Sequence, residues 1–248
     1  MTISRALSFD TAAARYDAAR PGYPPALFDA VEELAGRPLD RARVLDVGAG
    51  TGIATRLLRA RGARVTAVEP GPGMAGQFRR ATPGVRLVRA TGDALPFAAA
   101  TADLVTYAQS WHWTDPARSL PEALRVLRPG GTLALWWNTA DAAVDWVAAQ
   151  EERLRRDLGG AAHGAHDRER SLPAGIPRTD RRVRWSRRVP LDTHLAHLGS
   201  HSLLLTAEPG ATRAFLERER AELLAAFPDG TVIEPYTVHL TTTRRPTA

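Results

Sequence analysis

Cysteine is absent from this chain of 248 residues, which excludes a disulfide framework, a thiolate zinc site and a cysteine nucleophile together. Lysine is absent too. All 33 basic residues are arginine, set against 27 acidic ones for a net charge of +6. Arginine never loses its charge in proteins, so a strongly basic balance here reflects a modest net charge that cannot titrate away. The excess of arginine, alanine and glycine fits a GC-rich coding sequence; the rival reading, a nucleic-acid footprint, has to be sought in local clusters. Long apolar runs are also missing, none approaching the roughly 20 residues that cross a bilayer. Residues 1–10 contain no basic stretch followed by a hydrophobic core, so no signal peptide is expected and a cytoplasmic location is. Nothing repeats at solenoid spacing.

With 44% hydrophobic and 24% charged residues, the chain suits one domain with a sizeable core, or a core with a lid. Residues 1–40 read as a helical lid. A first helix covers 9–20, and a second opens at Pro24-Pro25 with Leu27, Phe28, Val31 and Leu34 as its inward stripe. From 41 to 140 short apolar strands (44–47, 65–68, 85–88, 104–108, 132–137) alternate with helices over 53–61, 73–80 and 116–127. Strands apolar on both faces and separated by helices predict an α/β, Rossmann-like fold, with a mostly parallel sheet and helices on both faces. Beyond 141 the spacing predicts a helix over 142–158, a surface loop over 159–180, strands over 183–189 and 231–242, and a helix over 211–227. Those two strands bring the sheet to seven, with an antiparallel C-terminal strand closing one edge.

One stretch carries chemistry. Val44-Leu45-Asp46-Val47-Gly48-Ala49-Gly50-Thr51-Gly52 leads from a strand straight into a helix. Glycines there permit a tight turn and let a ligand lie against bare backbone. A loop at the carboxyl end of the first strand is also where doubly wound sheets hold nucleotides. A dinucleotide fingerprint would place its third glycine at position 53, which is Ile53. The compact spacing suits a ligand without a pyrophosphate. Glu69 closes the second strand about 20 residues on, where a carboxylate accepts the hydroxyl protons of a ribose; the alternative is a solvated strand-end acid.

These residues, taken with three later motifs, resemble the class I S-adenosylmethionine (SAM)-dependent methyltransferases, and within them the small-molecule branch called methyltransferase type 11. The later motifs are Val68-Glu69-Pro70, Gly92-Asp93-Ala94-Leu95-Pro96-Phe97, and the turn Leu124-Arg125-Val126-Leu127-Arg128-Pro129-Gly130-Gly131. Four motifs in order cover about residues 40 to 137. The resemblance implies SAM as cofactor. It implies that Gly48, Ala49 and Gly50 flank its methionine part and that Asp46 orients the loop or meets the amino group through water. Glu69 would hold the ribose, Pro70 and Met74 would touch the adenine, and Asp93 with Ala94 would grip its edge.

Residues outside the core resemble a narrower, trans-aconitate-methyltransferase-like group: Phe9-Asp10, Tyr16, Arg20-Pro21, Tyr23-Pro24 and Ala108-Gln109-Ser110-Trp111-His112-Trp113. That resemblance implies a lid in which Tyr16, Arg20 and Tyr23 lie over the cofactor, Arg20 being placed to pair with a carboxylate. The alternative is that these residues only dock the lid. Gln109 would adjoin the cofactor. Tyr23, Trp111, Trp113, Asn138 and His201 would surround a small-molecule acceptor. His112 is a candidate general base, having a pKa suited to neutral-pH proton removal, or else a packing residue.

Metal is not expected: His194, His197 and His201 share helical spacing, yet no carboxylate pattern accompanies them. The arginines at 178, 181, 182, 184, 187 and 188 alternate with Val183, Trp185 and Val189 as on an edge strand, and no Asn- or Asp-Pro-Pro-aromatic motif follows the fourth strand. A nucleic-acid partner is therefore the less favoured reading, and no membrane partner is expected. The expected reaction is in-line methyl transfer from SAM to a small molecule. The alternatives are a SAM-using enzyme that cyclises the aminobutyrate chain, a nucleic-acid methyltransferase, or a module that binds SAM without catalysis.

Overall fold

The computed structural model describes residues 20–159 and 172–247. Residues 9–19 of the helix expected over 9–20, Tyr16 among them, lie outside the described residues. Seven strands form one sheet in the order β3-β2-β1-β4-β5-β7-β6. They are β1 (Arg43–Val47), β2 (Arg64–Val68), β3 (Arg86–Val88), β4 (Ala102–Ala108), β5 (Leu127–Ala140), β6 (Thr179–Pro190) and β7 (Thr231–Arg244). Neighbours among β1 to β5 pair in parallel, and β7 alone runs antiparallel, between β5 and β6. The helices are α1 (Pro25–Ala35), α2 (Ile53–Ala60), α3 (Pro72–Ala81), α4 (Pro116–Val126), α5 (Asp145–Leu158), α6 (Leu191–Gly199), α7 (Ser202–Thr206) and α8 (Pro209–Ala226).

The period-2 alternation of strand side chains divides the core in two. On β5, Leu133, Leu135 and Trp137 join α4 on one face, while Ala134 and Trp136 join α1 and α2 on the other. α1 lies flat on that second face through Leu27, Phe28 and Val31, and Gly36 ends it in the left-handed conformation that a side chain resists. Among the described residues no helix is long and apolar enough to cross a membrane.

Two local expectations change. The strand at 104–108 does not run on: Gln109 turns left-handed (φ 55°), and Trp111–Trp113 form one turn of 3₁₀ helix. The expected turn at Arg128–Gly131 is instead the start of a longer β5, bent at left-handed Gly130. Backbone bonds to Arg245 hold it there (Gly130 N to Arg245 O 3.0 Å, Arg245 N to Gly131 O 2.9 Å). Pairing with a long β7 lengthens β5 beyond what its own sequence signals.

Candidate functional site

The site is built at the carboxyl ends of β1, β2, β4 and β5. Beyond β1 the chain turns through Gly48, Gly50 and Gly52, all at positive φ (68°, 57° and 91°), before α2 begins. Their surroundings differ. A Cβ on Gly48 would stand 2.4 Å from Cβ of Ser110, and one on Gly52 3.0 Å from the Phe78 ring. A Cβ on Gly50 would meet nothing within 4 Å. Two glycines thus let the loop pack down onto Ser110 and α3, and the middle one presents bare backbone to open space.

Asp46 lies beneath the loop, fully buried. Its carboxylate accepts hydrogen bonds from Thr55 Oγ1 (2.5 Å) and Thr106 Oγ1 (3.0 Å), tying β1 to α2 and β4. Burial pushes its pKa up, against the lowering effect of the two hydroxyls. This geometry suits the loop-orienting role of the two that were open. Glu69, also buried, accepts from the backbone N–H of Gly50 (2.8 Å) and of Gly71 (2.7 Å). It therefore joins the glycine loop to the start of α3, where Pro70 is exposed and Met74 buried. Ala49 is buried, and its N–H donates to Val68 O (3.0 Å).

Asp93 uses one oxygen to cap the start of α4, accepting from Asp115 N (2.9 Å) and from the Ser119 hydroxyl. Ala94 beside it is exposed. Gly92 has no room for a side chain, because a Cβ would lie 2.8 Å from Tyr107 Oη. That hydroxyl is buried without a hydrogen-bond partner, as are Trp136 Nε1, Trp137 Nε1 and Asn138 Nδ2. Burial, with Asp93 and Glu122 nearby, holds Tyr107 above the ordinary tyrosine pKa. Four orphaned donors at the ends of β4 and β5 are unusual for an interior that normally satisfies its polar groups.

Gln109 reaches Tyr23, Nε2 donating to Oη at 3.3 Å, and Tyr23 packs edge-on against Trp136. Trp111 is fully buried, edge-on to Tyr107, in the floor of the site rather than on a solvent-reachable wall. Trp113 is exposed and lies 4.5 Å, centroid to centroid, from the His112 ring. Asn138 Oδ1 accepts from Trp185 Nε1 (2.9 Å). Arg20 donates to the Ser200 carbonyl (3.4 Å), at the turn joining α6 to α7. His201 lies in the same turn, its ring edge-on to His197. The structure thus brings Arg20 and His201 together, and Tyr23 with Gln109, over the same end of the sheet.

A strand order of 3-2-1-4-5-7-6 with a glycine loop after β1 and an acid after β2 has relatives. A protein-family model described as a methyltransferase domain matches residues 45–135. An uncharacterized methyltransferase of Mycobacterium tuberculosis is 39% identical over 233 residues, covering 92% of this chain and 91% of its own. The chain belongs to the class I SAM-dependent methyltransferases. A solved structure from Anaeromyxobacter dehalogenans, described as a candidate type II methyltransferase, is 29% identical with a TM-score of 0.74; the match covers 92% of this chain and 99% of that one. A methyltransferase-type structure from Anabaena variabilis shares the fold at 20% identity and TM-score 0.60, over 88% and 96% of the two chains.

The methyltransferase also contains a buried polar network that composition and motifs did not signal. Glu234 on β7 accepts from His194 Nδ1 (2.7 Å), Tyr236 Oη (2.8 Å) and the Arg187 guanidinium. His194 Nε2 meets Gln150 (3.1 Å), whose amide donates to buried Glu219 (3.1 Å), itself clamped by Arg153. Burial alone would raise the pKa of Glu234, but the two histidines and Arg187 hold it far below the usual carboxylate range. No single segment carries this pattern, since its members come from α5, β6, α6, α8 and β7. The one sequence cue was the histidine spacing. Among the described residues, no group of three or more His, Asp or Glu is arranged to hold a metal ion.

Proposed function

We propose that this methyltransferase binds SAM across the glycine loop and transfers its methyl group to a small-molecule acceptor. The observation that carries the reading is Gly50. It is left-handed, open where a side chain would stand, and bonded through its N–H to the buried carboxylate of Glu69. The donor set fits the cofactor: bare backbone for the methionine part, a strand-end carboxylate for a ribose, and Asp93 with Ala94 for the adenine edge. When bound, SAM supplies an activated electrophilic methyl group.

The chain's own residues then align and enclose. Glu69 fixes the loop and the start of α3 relative to each other, so both meet the ligand preorganised. Gln109, Tyr23 and Asn138 line the route from the cofactor to the acceptor. Arg20 and the α6–α7 turn roof it and keep water out. The orphaned donors at Tyr107 and Asn138 favour a polar acceptor.

Calorimetry of SAM binding tests the reading. Wild type is expected to bind, and Glu69→Gln to bind at least tenfold more weakly, because a charged hydrogen-bond partner worth about 1.5–3 kcal/mol is lost. No binding by wild type refutes the proposal. Incubation with SAM alone distinguishes the cyclising alternative, which would release methylthioadenosine.

A further inference from the structure

Two histidines approach Glu234, and they differ in what they have left over. His194 has both ring nitrogens engaged, Nδ1 by Glu234 and Nε2 by Gln150. His197, one turn further along α6, turns Nδ1 toward Tyr236 Oη (3.5 Å) and Glu234 Oε1 (3.8 Å). The single hydroxyl proton of Tyr236 is donated to Glu234 at 2.8 Å. Tyr236 can therefore only accept from His197, so Nδ1 carries the imidazole proton. The lone pair then sits on Nε2, which has no hydrogen-bond partner among the described residues.

The ring lies by the carboxyl end of β5, beside Tyr236. Tyr236 pairs in register with Ala140 at the end of β5 and stacks on Trp185, which holds Asn138. Arg20 binds the carbonyl of Ser200, three residues beyond His197, and Tyr23 in the same segment binds Gln109 at the end of β4. From β4 across β5 to β7 is two strand spacings, about 10 Å, the reach of a small molecule.

We propose that His197, backed by Tyr236 and Glu234, takes the proton from the acceptor's nucleophilic atom, and that the acceptor is therefore a protic group, an O–H or N–H, rather than a carboxylate. In that step the O–H or N–H bond breaks, its electron pair stays on the acceptor atom, and the proton passes to Nε2 of His197. Nδ1 keeps its own proton, and the added charge is balanced by Glu234. The inference rests on the SAM-dependent methyl transfer proposed above.

The surroundings suit the task. Around the ring stand Glu234 and Tyr236 from β7, Arg187 from β6, Arg20 before α1, His194 on its own helix and His201 beyond it. Burial lowers the His197 pKa below its ordinary value, against the raising effect of Glu234 and with help from Arg20 and Arg187, leaving the ring neutral and able to accept at neutral pH.

The test uses the full chain. Nitrogen-15 NMR of the histidine rings in wild type should find His197 neutral at pH 7 with its proton on Nδ1; a proton on Nε2 overturns the assignment whatever the acceptor. Tyr236→Phe should shift that signal. Methyl-tritiated SAM is then incubated with the small-molecule fraction of a cell extract. The transferred label should resist mild alkali, as in an ether or methylamine. Release of volatile methanol would mark an ester, hence a carboxylate acceptor, and would overturn the His197 role alone. His197→Gln should bind SAM as wild type does, transfer label at least 10²-fold more slowly, and lose the fall in rate at acid pH. Loss of that limb in His112→Ala instead, with His197→Gln unaffected, also overturns it. Wild type that fails to bind SAM removes the function proposed above and this inference with it.

Discussion

Gln109 is one of three residues other than glycine in the left-handed region among those described, and it stands where β4 gives way to the 3₁₀ turn. For a residue with a Cβ that conformation costs about 1–2 kcal/mol. Its backbone N–H to Trp136 O (2.8 Å) and its side chain to Tyr23 hold it there. Strain of this kind is retained where the surroundings over-determine it, commonly at functional sites. The usual stability order should therefore invert: Gln109→Gly is expected to be about 1 kcal/mol more stable than Gln109→Ala in urea unfolding, while both lose methyl transfer. At this scale much was legible. Gly48, Gly50 and Glu69 were singled out by spacing and Asp93 by the family resemblance, and the structure gathers them at one end of the sheet. His197 and Glu234 were not legible as a pair, because their relation spans separate elements and the sequence shows only three histidines at helical spacing.

Among elements, the loop from β1 into α2 does most to place the site, and its glycines separate fold from function. Gly48→Ala and Gly50→Ala both force a Cβ onto positive φ, at about 1–2 kcal/mol. Only the first also drives that Cβ into Ser110, whose hydroxyl is bonded to Val47 O (2.6 Å). Overpacking of that kind adds roughly 1–3 kcal/mol. Thermal unfolding with and without SAM should thus find Gly48→Ala the less stable protein, and Gly50→Ala stable but no longer stabilised by SAM. Strand lengths were the less legible feature of the elements. The apolar run at 132–137 predicts a short strand, but β5 spans Leu127–Ala140 because β7 runs beside it from Tyr236 to Arg244.

Across the whole molecule the two ends of the sheet have different work. The amino end is tied by Asp103, which is buried, accepts a hydrogen bond from Arg43 N (2.7 Å) and is ion-paired with Arg37 (3.0 Å) and Arg128 (3.0 Å). Burial alone would raise its pKa, but the Arg43 bonds and the charges of Arg37 and Arg128 hold it at about 2. With the folded value below the unfolded one, the stability it contributes is present above about pH 4 and is lost as the pH falls through 4 toward 2. Asp103→Asn should cost about 2 kcal/mol at pH 7 and almost nothing at pH 2, as measured by urea unfolding. SAM affinity should hold wherever the variant is folded, because the hub lies at the end of the sheet away from the glycine loop.

What the sequence determined by itself was local: the alternation of strands and helices, the glycine loop, and the acid at Glu69 about 20 residues on, with Asp93 reached through the family resemblance. Those signals lie within a few residues of one another or within one βαβ unit, where periodicity and turn chemistry are written directly in the chain. The buried polar network around Glu234 and Glu219 was decided by the tertiary structure. Glu234 meets His194 across 40 positions, and Gln150 meets Glu219 across 69. A buried charge is tolerable only when partners are delivered to it, and only the register of β6 on β7, with α5, α6 and α8 packed over them, delivers those partners.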